Sequence, residues 1–372
     1  MMRKQGPAMA HAFSHQFDRT GDSCEISEGP HTETRVLSQA TELLTRGIVL
    51  CSEIAKGGQG SVWRAVQSDQ TQVAVKIISK RFLGNGVVCS RQEKHVLREA
   101  MILRSTQHPG VVKFVDFCES ETQWFLVTEL VDGDDLFELL NKGSLSESQL
   151  LFLTAQVLHT LAYLHSCGIA HRDIKLENVM VTRNPKMCIK LIDFGLSHWI
   201  EMDGSNVVNE FPGTKQYKAP ELLLRVPNTD PRRADLFALG VILFVIITGS
   251  FPMSDKDLDA RRIRKGSISF KSSAWKRVSE KTQNLTAALL DVDPSTRVSA
   301  VEAYGIVKAQ LVAAAAHARA GTQEDHQEQT SPAGITAVSA SGAGSKSAGR
   351  TKNMISQMMV PMMNKFAAST AV

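Results

Sequence analysis

Hydrophobic and polar positions alternate along the first part of the chain, in short runs that are separated by turns. Runs of this kind, rich in β-branched and aromatic residues, predict β-strands. Five of them are expected to be strands: 47–51, 61–66, 72–78, 111–117 and 124–129. The stretch 90–104 instead predicts a helix between the third and fourth strands. A small β-rich unit with one main helix is therefore expected over 47–129.

The pattern changes to helical spacing beyond Asp135. Within 149–165, aliphatic residues recur at intervals of three and four and so share one helix face. They are Leu150, Leu153, Val157, Leu161 and Leu164. The predicted fold class is α+β, with a small β-rich lobe joined to a larger, mostly helical lobe. A cleft between two lobes is a usual place for a ligand.

Composition limits the alternatives. Hydrophobic residues make up 43% and charged residues 22% of the 372 residues, which excludes a fibrous repeat or wholesale disorder. The net charge of +4 is too small to indicate a nucleic-acid or membrane partner. Residues 1–46 have few aliphatic side chains, and residues 320–372 are rich in Ala, Ser, Gly, Thr and Gln. Both ends are expected to be disordered, and the folded domain is expected over 47–310.

Export or membrane insertion is not expected. Residues 1–20 carry charges and no apolar core, and the most apolar run, 237–248, is shorter than the roughly 20 residues of a spanning helix. The six cysteines include no CxxC pair, which makes zinc unlikely and suits a reducing compartment. A cytoplasmic or nuclear location is therefore expected, and the oligomeric state stays open.

Two segments of the β-rich unit suggest nucleotide chemistry, each weakly. A glycine-rich stretch, 57–62, lies between two predicted strands, where backbone amides could approach phosphate oxygens. A plain hairpin turn explains it equally well. Lys76 ends the strand-like sequence Val73-Ala74-Val75-Lys76, although a lone lysine commonly extends its ammonium group to solvent.

A stronger signal follows the apolar helix, at His171-Arg172-Asp173-Ile174-Lys175-Leu176-Glu177-Asn178. This run holds an acid, a base and an amide within six residues. Further motifs follow it in order. They are Asp193-Phe194-Gly195, Gly213-Thr214, Ala219-Pro220-Glu221, Asp235 to Gly240, and Arg297.

With this ordered set, the chain resembles the eukaryotic protein kinases over about residues 48–310. It is most similar to Ser/Thr kinases of the calcium/calmodulin-dependent and AMP-activated group, because Lys175 follows Asp173 by two residues and Gly213-Thr214 precedes Tyr217. The resemblance implies a bilobal kinase fold, with an N-lobe over 47–130 and a C-lobe over 131–310. It also implies transfer of the γ-phosphate of ATP to a protein Ser or Thr hydroxyl.

The resemblance assigns roles to single residues. Asp173 matches the base that accepts the hydroxyl proton, and Lys175 lies beside the γ-phosphate. Lys76 matches the phosphate-binding lysine, and Glu99 matches the helix glutamate that pairs with it. Asn178 and Asp193 match the ligands of Mg²⁺, the expected cofactor with ATP.

The nucleotide site that the resemblance implies draws on both lobes. Val62 and Ala74 lie above adenine and Met180 below it. Its other residues are Ala55, Gly57, Gly58, Gly60, Lys76, Thr128, Glu129, Val131, Asp135, Glu177, Asn178 and Asp193. Asp135 and Glu177 also match positions that bind a basic residue N-terminal to the phosphoacceptor, which predicts a basic substrate preference.

Two positions, Ala55 and Glu210, depart from the pattern that the resemblance implies. Ala55 replaces the usual first glycine of the phosphate loop, with a modest expected effect on nucleotide affinity. Glu210 occupies a position where relatives carry a threonine whose phosphate pairs with the arginine here numbered Arg172. Glu210 could partly replace that phosphate, or be a solvated loop residue. A pseudokinase scaffold is the alternative function, although Lys76, Asp173 and Asp193 are all present.

Three structural contacts are also implied. Glu221 and Arg297 match a buried ion pair of the large lobe, and Asp235 matches the residue that braces the loop at His171 through backbone hydrogen bonds. Thr214 is expected to contact the loop 171–178, which the resemblance identifies as the catalytic loop.

Overall fold

A computed structural model describes residues 41–58, 60–83, 86–185, 187–200, 212–253 and 268–327. The N-terminal lobe consists of a five-stranded antiparallel sheet and two helices. Its strands are β1 Ile48–Gly57, β2 Gly60–Gln67, β3 Gln72–Ser79, β4 Phe114–Glu119 and β5 Gln123–Glu129. Its helices are α1 Thr41–Thr45 and α2 Ser90–Ser105. The strand order is β1-β2-β3-β5-β4, so α2 is inserted between two strands that are not neighbours.

Strand β3 shows how alternation builds both faces of this sheet. Val73, Val75 and Ile77 are buried in a core cluster on one face. Because successive side chains of a strand point to opposite faces, Lys76 lies on the other face. The sequence alternation thus directs one cation away from the apolar core.

The C-terminal lobe is mainly helical. Its helices are α3 Leu136–Lys142, α4 Glu147–Ser166, α5 Pro220–Leu223, α6 Pro231–Thr248, α7 Glu280–Leu289 and α8 Ala300–Gln327. Its short strands are β6 Gly133–Asp135, β7 Ile169–Ala170, β8 Val179–Thr182, β9 Ile189–Leu191 and β10 His198–Trp199. Strands β6, β8 and β9 form one small sheet, and β7 pairs with β10.

Local sequence explains where the two central helices begin and end. Ser146 and Gln149 form a capping box at the start of α4. Asp230 caps α6, Pro231 occupies its first turn, and Gly249 ends it in the left-handed conformation. Helices α4 and α6 are buried on nearly all sides, as their continuous apolar runs predict.

Two boundaries differ from the expectation. Helix α1 lies inside the predicted disordered segment 1–46, because Leu43 is fully buried in the core of the N-terminal lobe. Helix α8 continues to Gln327, past the expected start of the tail at 320. The remaining parts of both predicted tails lie outside the described residues. Within the described part of the chain, no helix has the length and apolar character to cross a bilayer.

Candidate active site

Three charged side chains meet where the two lobes face each other. The Lys76 ammonium donates to both carboxylate oxygens of Glu99 at 2.8 and 3.0 Å, and to Asp193 Oδ1 at 2.9 Å. Lys76 comes from β3, Glu99 from α2, and Asp193 follows β9. The predicted pairing of Lys76 with Glu99 is present.

Burial and the neighbouring charges have opposite effects on the ionisation of these three side chains. Burial disfavours the Lys76 ammonium, but attraction to the two carboxylates outweighs it and raises the pKa of Lys76. Burial raises the pKa of the Glu99 carboxyl. Burial also opposes ionisation of Asp193, yet the charge of Lys76 prevails and lowers the pKa of Asp193. Lys76 and Asp193 are therefore both held in their charged forms.

Asp173 is the centre of a second polar group on the catalytic loop. Its Oδ2 accepts from Lys175 Nζ at 2.7 Å and from the Asn178 amide at 3.1 Å. Its Oδ1 accepts from the backbone N–H and the hydroxyl of Thr214, each at 3.3 Å. The predicted contact of Thr214 with this loop is thus confirmed. The Asp173 carboxylate is held from two sides, which fixes its orientation.

The catalytic loop itself is held by Asp235 of helix α6. The Asp235 carboxylate accepts the backbone N–H groups of His171 and Arg172 at 2.9 and 2.8 Å, and contacts His165 Nε2 at 2.9 Å. The predicted bracing role of Asp235 is confirmed. The His171 ring packs on Phe194 with ring centres 4.8 Å apart, which joins this loop to the segment after Asp193.

A cleft of about 730 Å³ runs between the lobes. Most of the predicted site residues line it. They are Ala55, Val62, Ala74, Lys76, Glu99, Thr128, Glu129, Val131, Asp135, Glu177, Asn178, Met180 and Asp193. Gly57, Gly58, Gly60, Asp173 and Lys175 are not among its lining residues. The cleft thus combines apolar lining residues with charged groups, as nucleotide sites do.

Sequence reasoning missed other lining residues of the cleft. They include Ile54, Val112, Leu126, Arg183 and Ile192. The aliphatic residues among them give no signal, because aliphatic residues occur throughout any folded domain, and an exposed arginine such as Arg183 is common on any protein surface. Only the packing of the two lobes makes them part of a site.

The glycine-rich segment joins β1 and β2 as a hairpin in which Gly57 pairs with Gly60. Gly60 has φ +143°, and a Cβ there would lie 2.1 Å from the Ile77 carbonyl oxygen. Ala55 pairs with Val62 inside β1 and does not have a positive φ. Replacement of the usual glycine by Ala55 therefore causes no backbone strain.

The two acids predicted to select a basic substrate residue differ in their surroundings. Asp135 caps α3 through a 2.7 Å bond from the Glu138 N–H. Glu177 has a buried carboxylate oxygen, Oε2, without a hydrogen-bond partner in the described structure. Burial raises the pKa values of both carboxyls. Glu210, the predicted phosphate substitute, lies outside the described residues.

The predicted ion pair of the large lobe is present. Arg297 donates to both oxygens of Glu221 at 2.6 and 2.9 Å, and the two side chains are almost fully buried. The pair joins the segment before α8 to helix α5. It lies away from the cleft and has a structural role.

A five-stranded lobe and a helical lobe that enclose a cleft with these charged groups have the architecture of a protein kinase. The sequence profile of the protein kinase domain matches residues 49–306. The chain belongs to the protein kinase family, and within it is related to Ser/Thr kinases of the calcium/calmodulin-dependent group.

Individual relatives agree with this assignment. Calcium/calmodulin-dependent protein kinase type II of Caenorhabditis briggsae is 34% identical over 273 residues, which cover 71% of this chain and 50% of that protein. A probable myosin light chain kinase of Dictyostelium discoideum is 32% identical over 262 residues, which cover 68% of this chain and 80% of that protein. The alignment covers 37% of the type II kinase of Caenorhabditis elegans. The chain thus spans about half or less of the length of the two type II kinases.

Proposed function

We propose that this chain transfers the γ-phosphate of ATP to Ser or Thr hydroxyls of proteins. The observation that carries the proposal is the approach of Lys76 Nζ to Asp193 at 2.9 Å, across 117 residues of sequence, at one end of a nucleotide-sized cleft. A structural role alone would not require a buried cation with two carboxylates beside an open cleft.

The chain's own residues account for the reaction. Asp173 orients the acceptor hydroxyl and takes its proton as the hydroxyl oxygen bonds to the γ-phosphorus and the bond to the β-γ bridging oxygen breaks. Lys175, held 2.7 Å from Asp173, stabilises the charge that develops on the transferred group. Lys76 binds the α- and β-phosphates.

The charges around the cleft favour a divalent cation with the nucleotide. Lys76 and its two carboxylates leave one net negative charge, whereas a triphosphate brings about four. The Asn178 amide nitrogen donates hydrogen bonds to Asp173. The amide oxygen is therefore the atom of Asn178 that would bind a cation, together with the Asp193 carboxylate. These hard oxygen donors fit Mg²⁺, which when bound neutralises phosphate charge.

A basic residue N-terminal to the acceptor is the proposed substrate feature. Asp135 and Glu177 both line the cleft, and their carboxylates suit an arginine guanidinium, which binds a carboxylate through charge-assisted hydrogen bonds. Replacing that arginine in a peptide substrate by Ala should raise KM. A peptide array in which this change has no effect would contradict the preference.

The deciding experiment measures ³²P transfer from labelled ATP to a basic protein substrate. Wild type should transfer phosphate, and Asp173→Asn should lose nearly all transfer but still bind a fluorescent ADP analogue. If wild type binds the nucleotide without any transfer, the scaffold alternative replaces the proposal. Absence of both binding and transfer rejects a nucleotide site in this cleft.

A further inference from the structure

One side of helix α2 carries cations around an apolar centre. Its exposed and half-buried residues recur at intervals of three and four, so they share one side of the helix. Six of them, called the α2 face below, are Arg91, Lys94, Leu97, Arg98, Met101 and Arg104. Leu97 and Met101 are large apolar side chains that remain exposed to solvent. The α2 face is therefore positively charged and partly apolar.

Three cations of the α2 face are not neutralised by a neighbour. Within the part of the chain that the structure describes, Lys94, Arg98 and Arg104 form no ion pair. Glu99 of the same helix points to the other side, where it binds Lys76. Like charges four residues apart on a helix repel each other, as those of Lys94 and Arg98 do. An anionic segment bound to the α2 face would relieve this repulsion.

The sequence that precedes the described residues contains a segment of opposite charge. Residues 22–33 include no lysine or arginine and four carboxylates. The four are Asp22, Glu25, Glu28 and Glu33. Ile26 stands between two of these acids, and so the segment combines negative charge with a branched aliphatic side chain. It is complementary to the α2 face in both respects.

The sequence that follows the described residues has the wrong charge for this face. Residues 329–372 include no aspartate or glutamate and four cations. The four are Lys346, Arg350, Lys352 and Lys365. Because like charges repel, charge favours the N-terminal segment over the C-terminal one as the occupant of the α2 face.

Helix α1 brings the N-terminal segment to the strand on which α2 packs. Both helices contact β4, which lies at one edge of the sheet. Leu43 of α1 shares a core cluster with Cys118 of β4, whereas Val96 of α2 clusters with Phe117. Because adjacent residues of a strand point to opposite faces, the two helices lie on opposite faces of the sheet at this edge. A chain that leaves α1 reaches α2 by passing around one strand.

The length of the chain is sufficient for this path. Packed layers of secondary structure are about 10 Å apart, so two helices on opposite faces of one sheet are separated by on the order of 20 Å. The outer side of α2 lies roughly 5 Å further, since a helix is about 10 Å wide. The eight residues from Glu33 to Thr41 span at most about 26–29 Å when extended. Residues 22–33 are thus within reach of the α2 face.

We propose that residues 22–33 bind the α2 face of the same chain. The acids of the segment pair with Lys94, Arg98 and Arg104, and Ile26 packs on the apolar centre. Exposed ion pairs are weak singly, but attachment within one chain gives an effective concentration in about the millimolar range. The bound segment restrains the helix that carries Glu99. The inference goes beyond the proposed function and does not rest on it.

Photo-cross-linking in the full chain tests the proposal. Ile26→p-benzoylphenylalanine places a photoreactive group within the segment, and Met358→p-benzoylphenylalanine in a second protein probes the C-terminal sequence. Mass spectrometry identifies the linked peptides after irradiation, and denaturing gel electrophoresis separates links within one chain from links between two chains. These measurements need no catalytic activity. A negative result therefore leaves the proposed function standing, and loss of activity leaves this proposal standing.

The group at position 26 should link to residues 90–105 of the same chain. The triple variant Lys94→Glu, Arg98→Glu, Arg104→Glu should lower the yield of this link by at least about fivefold, because three attractive pairs become repulsive. High salt should lower the yield of the unreversed chain as well, because exposed ion pairs are screened.

Two controls separate charge recognition from general damage to the fold. Adding Glu25→Lys and Glu28→Lys to the triple variant restores opposite charges and should recover most of the lost yield. Lys281→Glu reverses an exposed lysine of α7 and should leave the yield unchanged.

Three results would overturn the proposal. Links from position 26 that join two chains would show that the acidic segment binds a second copy. Links to α2 from position 358 but not from position 26 would identify the C-terminal sequence as the occupant. A yield that neither the triple variant nor high salt lowers, or the lack of any link to 90–105, would show that the segment does not recognise the cations of the α2 face.

Discussion

Removing the Arg297 side chain should destabilise the C-terminal lobe severely. In the folded chain the Arg297 guanidinium bonds to both oxygens of Glu221, to the Arg233 carbonyl at 2.7 Å and, through Nε, to the Asp291 carbonyl at 2.8 Å. It also lies over the ring of Phe237, 5.0 Å from its centre. Arg297→Met keeps an apolar side chain of similar length but removes all of these polar contacts.

The expected loss follows from burial. Arg297 and Glu221 are 1% and 3% exposed, so the substitution leaves a carboxylate in the interior without a compensating charge. Breaking a buried pair in this way costs about 3–5 kcal/mol. Glu221→Leu should cost a similar amount, because it leaves the guanidinium unpaired. The double variant leaves neither charge buried and should lose less than the sum of the two, by at least about 2 kcal/mol.

Equilibrium urea unfolding, followed by far-UV circular dichroism, measures these losses for the two single variants and the double variant. Arg232→Met is the matched control, because Arg232 pairs with Asp230 at 2.9 Å but is 41% exposed. Its expected cost is below about 1 kcal/mol. The reasoning fails if Arg297→Met costs no more than this control, or if the losses of the two single variants simply add in the double variant.

Three other substitutions have distinct expected outcomes. Thr214→Ala removes the hydroxyl that contacts the catalytic-loop carboxylate and should lower kcat about tenfold with little change in the KM for ATP, with Thr214→Ser restoring the rate. Gly60→Ala should lower the melting temperature and weaken nucleotide binding because its Cβ would meet the Ile77 carbonyl, whereas Gly57→Ala, with no protein atom within 4 Å, should leave the melting temperature unchanged. Burial lowers the pKa of His108 from 6.5 to about 4, so the unfolded chain binds the proton more readily, and the free energy of unfolding should fall as the pH drops from 6.5 towards 4. His108→Gln should flatten that slope in urea titrations at several pH values.

Strand positions were predictable where burial alternates, and less so where it does not. The prediction for β1 ended at Cys51, yet the strand continues to Gly57. Residues 51–57 are exposed, so no hydrophobic pattern indicates them, and pairing with β2 alone extends the strand. The hydrophobic pattern places Val111 and Val112 in the fourth predicted strand. They instead join Leu191 of β9, a contact between lobes that a local pattern cannot predict.

The order of the kinase motifs predicts which charged residues converge at the candidate site, whereas residue type alone does not predict the other contacts around the cleft. Lys76, Glu99 and Asp193 converge as the kinase resemblance implies. By contrast, no motif indicates the ion pair between Glu129 at the end of β5 and Lys190 of β9, at 2.5 Å. Lys190 stands opposite Met180 in the small sheet and so shares its face. This ion pair depends on how the two lobes pack against each other. A contact between residues far apart in sequence produces no periodic pattern from which it could be predicted.

Backbone conformation at the catalytic loop is the feature that sequence could least predict. Arg172 has φ 69° and Asp193 has φ 58°, in a region that costs a non-glycine residue roughly 1–3 kcal/mol. Such strain persists only where the surroundings fix it, and at Arg172 the fixing group is the Asp235 carboxylate, 1% exposed. Asp235 is itself held by the apolar helix α6. The geometry of the loop at Asp173 therefore depends on packing in the core of the C-terminal lobe. Substitutions that loosen α6 should impair phosphate transfer before they unfold the chain.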